Sequence, residues 1–244
     1  MTPAMNAPRN PIFCAIDTPD LAQAKAWATS LSDAVGGIKL GLEFFGGQGP
    51  AGVAEVMRVG GLPLFLDLKL HDIPNTVAGA VRAVTPLAPF MFNVHAAGGR
   101  AMMMAAHDAA GDAAAKAGVP TPLVIGVTIL TSLDDQDLDA VGMQTPSADQ
   151  VRRLAGLARE SGLDGVVCSP HEAGVLRRDL GPGFKLVTPG VRPAWSAGAQ
   201  DQKRIMTPAE ALAGGADYVV IGRPITGAAD QAAAARRIVT ELAA

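Results

Sequence analysis

The stretch FLDLKLHDIPNTV at 65–77 begins as an apolar strand, and three charges, Asp67, Lys69 and Asp72, then interrupt it. Charges are expensive to bury unless they are paired. If the stretch is a strand, Asp67 and Lys69 share a face, because positions i and i+2 point the same way. Leu64, Leu66 and Leu68 then face the opposite side. Lys39, in GIKLG at 37–41, can reach the same space. The resulting Lys–Asp–Lys–Asp series alternates in sign and gives each charge an opposite partner. Such a set is either an ion pair that closes the fold or a charged array built to act on a ligand. Carboxylates at strand ends can also hold Mg²⁺, but here two lysines already supply the cation, so no metal is expected. A second stretch, YVVIGRPIT at 218–226, suits an anion. Gly222 lets backbone amides approach, Arg223 supplies a forked donor, and Pro224 opens a helix. Arg192, in TPGVRP on the preceding strand, can approach the same anion. His95 either lines this mouth or satisfies a core hydrogen bond, and His71 is expected to point away from Asp67 and Lys69.

These residues need elements to hold them. Short apolar runs at 12–17, 37–41, 63–69, 91–96, 123–130, 165–169, 184–190 and 218–222 read as strands. Helix-like segments lie at roughly 20–33, 50–60, 74–87, 99–116, 148–161, 171–178, 207–214 and 225–242. Asp20 and Ser147 are candidate caps, and Pro74, Pro208 and Pro224 suit a first helical turn. Eight strand–helix units in 244 residues match an α/β fold of the (β/α)₈ TIM-barrel type. A doubly wound sheet shares the alternation, but no GxGxxG turn follows the first strand. The chain reads as one barrel domain over 1–244, with residues 1–10 a frayed extension. Barrel active sites form at the C-terminal ends of the strands, where Asp17, Lys39, Asp67, Lys69, Asp72, His95, Thr131, Ser132, Arg192 and Arg223 fall.

Composition narrows the partners. The formal net charge is −3, and Lys and Arg are scattered, so nucleic acid is not expected. No apolar run reaches the ~18 residues of a membrane span, and the N-terminus does not resemble a signal peptide. Cys14 and Cys168 sit in apolar runs, as reduced thiols of a cytoplasmic protein do.

Taken together, AID at 15–17, DLKLHDIPNT at 67–76, VTPGVRP at 187–193, DQKRIMTP at 201–208 and YVVIGRPIT resemble the orotidine 5′-phosphate decarboxylase family. The resemblance spans nearly the whole chain. It implies a cofactor-independent enzyme of de novo pyrimidine biosynthesis that removes CO₂ from orotidine 5′-phosphate to give uridine 5′-monophosphate. Lys69 is then the proton donor to C6, with Lys39, Asp67 and Asp72 completing the array. Asp17 and Lys39 meet the ribose hydroxyls, Thr131 the pyrimidine, and Arg192, Gln202, Gly222 and Arg223 the phosphate. The resemblance also implies a homodimer in which Asp72, Ile73 and Thr76 enter the partner's site. The stretch 192–204 is the candidate lid. The DxKxxD core alone is shared with Mg²⁺-dependent sugar-phosphate lyases, which remain the alternative. A catalytically silent nucleotide-phosphate-binding barrel is the reading from another class.

Overall fold

The eight apolar runs form eight strands: β1 (Ile12–Ile16), β2 (Gly37–Gly41), β3 (Leu64–Leu70), β4 (Met91–His95), β5 (Leu123–Val127), β6 (Gly165–Val167), β7 (Lys185–Pro189) and β8 (Tyr218–Ile221). The computed structural model describes residues 7–196 and 206–242. All strands pair in parallel, in chain order, and β8 returns to β1, so the barrel is closed. Around it lie α1 (Leu21–Ser30), α2 (Leu42–Gly60), α3 (Pro74–Val84), α4 (Gly99–Ala117), α5 (Asp135–Ala140), α6 (Ser147–Glu160), α7 (Pro170–Leu180), α8 (Pro208–Ala213), α9 (Arg223–Thr226) and α10 (Gln231–Leu242). None of these described helices is long and apolar enough to cross a membrane.

Strand parity sorts the side chains into two cores. Ile12, Cys14, Ile16, Ile38, Leu40, Leu64, Leu66, Phe92 and Val94 pack outward against the helices. Phe13, Ala15, Phe65, Met91, Ile125, Val187 and Val220 fill the interior together with Phe90. Phe13 stands at its centre, with edge-on contacts to Phe65 and Tyr218 and a stacked contact to Phe90. A Cβ at Gly37 would come within 2.3 Å of the Phe13 ring, so glycine there makes room for it. This aromatic plug closes the barrel beneath the charged residues.

Asp20 caps α1 through bonds from the Ala22 and Gln23 backbone, and Pro74, Pro208 and Pro224 all sit in first helical turns, as expected. Five details differ. Ser147 is the first helical residue of α6 and not its cap, since Pro146 in extended backbone holds the cap position. The helix expected from residue 50 has a preceding part from Leu42, joined across a kink at Gly49 before Pro50. The helix expected at 225–242 is two, because α9 stops at Gly227 and Asp230 accepts the Ala233 N–H to start α10. The short α5, with its Asp134–Asp137 capping box, was not expected. Asn10, assigned to the extension, is held by the Ala34 carbonyl and itself accepts from the Ile12 N–H.

Candidate active site

The β-strand parity that buries Phe65 below places Asp67 above it, inside the barrel mouth. Lys69 Nζ lies 2.6 Å from Asp67 Oδ1. Lys39 Nζ lies 3.3 Å from Asp67 Oδ2 and 3.1 Å from Asp17 Oδ1. The four form one chain of alternating sign, Asp17–Lys39–Asp67–Lys69. Asp67 is 9% exposed. Burial pushes its pKa up, but Lys39, the hydrogen bond and charge of Lys69, and a hydrogen bond from Asn93 outweigh it, so the carboxyl lies below its ordinary range. A Cβ at Gly41 would sit 3.1 Å from Lys39 Nζ, a tight contact that a small shift of the lysine tip would relieve.

The array forms one wall of a cavity of about 220 Å³. Lys39, Asp67, Lys69 and Asn93 supply its polar side, and Phe65, Val127, Ile129, Val167 and Val220 its apolar side, with Thr131 at the rim. The volume is below the ~300–1,000 Å³ of pockets that enclose a drug-sized ligand, so it suits one ring of a larger molecule. A second feature lies close by. Gly222 precedes α9, and its Cβ position is 4.0 Å from Asp17 Oδ2, which joins this corner to the charged chain. Arg223 begins α9 and is exposed. Arg192 lies beyond β7, where its backbone N–H donates to Met206 O. Gln202 and most of the expected lid, 197–204, lie outside the described residues.

Asp72 does not join the array of its own chain. Its carboxylate accepts from the Ile73 N–H at 2.6 Å. Residues 71–76, which include Asp72, Ile73 and Thr76, are all exposed, and Ile73 is 66% exposed despite its apolar side chain. The expected direction of His71 rested on alternation, but β3 ends at Leu70 and Lys69 has φ +50. The His71 ring instead lies 5.4 Å from that of His95. Burial first, then His71 and Lys69, push the His95 pKa down.

The pattern of the orotidine 5′-phosphate decarboxylase / HUMPS family matches residues 10–238. The chain belongs to this family. It is 62% identical to orotidine 5′-phosphate decarboxylase of Rhodospirillum rubrum, over 98% of this chain and 97% of that one. Identity to the decarboxylase of Moorella thermoacetica is 54%, over 96% and 92% of the two chains. Among solved structures, the decarboxylase of Lactobacillus acidophilus superposes with a TM-score of 0.81 at 36% identity, covering 96% of this chain and all of that one.

Within this family member, the residues legible by parity, Lys39, Asp67 and Lys69, do meet. Asn93 was missed. Asn93 lies two residues before His95 on the neighbouring strand, so the inward parity of NVH at 93–95 was the available signal.

Proposed function

We propose that the protein converts orotidine 5′-phosphate to uridine 5′-monophosphate and CO₂. The observation that carries this reading is the Lys39–Asp67–Lys69 chain against a ring-sized cavity, in a member of this family. The substrate carboxylate is held beside Asp67. The bond from C6 to the carboxyl carbon breaks, CO₂ departs, and the electron pair stays on C6. The Lys69 ammonium stabilises that charge through space and delivers its proton to C6, after which solvent reprotonates the amine. Stabilising charge that develops in the transition state is often the largest catalytic contribution. Asp17 and Lys39 bind the ribose hydroxyls, Thr131 meets the pyrimidine, and Arg192, Gln202, Gly222 and Arg223 take the phosphate. Phosphate binding far from the breaking bond drives closure of 192–204.

The working unit is a homodimer, in which Asp72, Ile73 and Thr76 complete the partner's site. The exposure of 71–76 on the single chain supports this. Both cysteines are free and buried, which fits a cytoplasmic enzyme. The lysines occupy the positions from which a cation acts, so the reaction needs no metal. A spectrophotometric assay of orotidine 5′-phosphate is expected to show full turnover in EDTA. Activity that vanishes on chelation and returns with Mg²⁺ would overturn the reading in favour of a sugar-phosphate lyase chemistry.

A further inference from the structure

The pairing of β3 with β4 is broken at the site. Phe65 pairs with Met91 and Leu66 with Phe92, but the next pair is Leu70 with Val94. Three residues, 67–69, therefore face Asn93 alone. Bulges of this kind leave backbone groups outside the ladder and re-aim side chains. Here the Asn93 side chain stands in for the lost ladder. Its Oδ1 accepts the Lys69 backbone N–H at 2.7 Å, and its Nδ2 donates to Asp67 Oδ1 at 2.7 Å. The orientation of the amide is fixed by its partners, since a backbone N–H only donates and an ionised carboxylate only accepts. Asn93 is 1% exposed, so both contacts are made away from bulk solvent.

Lys69 is also one of two non-glycine residues with positive φ among the described residues. A backbone in that region persists only where its surroundings over-determine it, and the Asn93 acceptor is the contact that does so on the β4 side. Lys69 Nζ and Asn93 Nδ2 meet at the same carboxylate oxygen. The amide thus ties the root of the Lys69 side chain to the anion that its tip grips.

We infer that Asn93 is a positioning residue for proton delivery: it fixes both the Lys69 backbone and the Asp67 carboxylate, and through them the place of the Lys69 ammonium. The inference rests on the decarboxylase reading for its kinetic readout and on geometry alone for its spectroscopic one. Isosteric Asn93→Asp keeps an acceptor for the Lys69 N–H but sets a second carboxyl against Asp67, while Asn93→Ala removes both contacts.

In substrate-free protein, carbon-13 NMR of the Asp67 carboxylate is expected to show a higher pKa in Asn93→Ala than in wild type. With orotidine 5′-phosphate, kcat of Asn93→Ala should fall about ten- to a hundredfold, the scale on which small misplacements act. Its affinity for uridine 5′-monophosphate should stay within about threefold, since the phosphate corner is formed by β8 and α9. Asn93→Asp should be most active at low pH, where its carboxyl is protonated and can donate to Asp67, and lose activity as pH rises. If Asn93→Ala does not fold, the isosteric Asn93→Asp carries both readouts. An unchanged Asp67 titration, or kcat within twofold of wild type with the wild-type pH profile, would overturn the inference. A wild type that leaves orotidine 5′-phosphate untouched fails the functional reading alone, and the Asp67 titration still decides the role of Asn93.

Discussion

Lys69 combines a strained backbone with a 2.6 Å ion pair, and the two belong together. A non-glycine residue at positive φ costs on the order of 1–3 kcal/mol, and here the strained residue is the one whose ammonium grips Asp67. Lys69→Ala keeps the strain and loses the ammonium, while Asp67 retains Lys39. Turnover is therefore expected to fall below detection while uridine 5′-monophosphate still binds; calorimetric titration beside the activity assay checks this, and near-normal turnover would remove Lys69 from the chemistry. Asp67 also couples the site to pH. Its folded pKa is depressed, so the stability it contributes is present above the ordinary carboxylate range and is lost as pH falls through the folded value. Of these residues, Lys39 and Asp67 were legible because parity needs only a regular strand up to 67, and Lys69 because its long side chain still reaches Asp67 from an irregular backbone. Asn93 was not, because its role arises from the irregularity that follows, and a break in pairing leaves no periodic mark.

At the scale of elements, all eight strands were legible from their apolar runs, since inward and outward faces are both buried. The helix ends were less so. The first part of α2, LEFFGGQ, is too glycine-rich to advertise a helix, yet Phe44 within it is fully buried and packing decides the matter. The break between α9 and α10 hides in an alanine-rich run, where propensity favours continuing and the cap at Asp230 wins. That break gives α9 its own orientation and leaves Arg223 at its start. If Arg223 holds the remote phosphate, its loss should reach the chemistry by way of closure. Arg223→Ala is expected to lose roughly one to two orders of magnitude in kcat/KM, as a charged hydrogen bond worth about 1.5–3 kcal/mol implies. Phosphite added to the phosphate-free nucleoside should activate the wild type far more than the variant. Equal activation with unchanged kcat/KM would reduce Arg223 to a surface charge.

For the whole molecule, the exposed strip 71–76 places an apolar Ile73 and an anionic Asp72 beside each other on the surface of one chain. Mixing inactive Lys69→Ala with inactive Asp72→Ala is expected to restore activity, because each heterodimer holds one doubly damaged and one intact site. Random two-fold pairing allows about a quarter of wild-type sites. Confirmed heterodimers that stay inactive would show that Asp72 serves its own subunit. The single-barrel architecture was legible from the count of strand–helix units, whereas the exposure of Ile73 was not, since an apolar residue after a strand gives no sign of being left on the surface. The closure of the barrel by β1 against β8 also sets a timetable for synthesis. The first strand leaves the ribosome about 200 residues before β8, which at roughly 5–20 residues/s is a wait of about 10–40 s. Throughout it, the β8-facing side of Ile12–Ile16 is an open edge of the kind that recruits other chains, while β2 can already cover the other side. The nascent barrel is thus exposed to aggregation until its last strand arrives, and the finished one offers no edge at all.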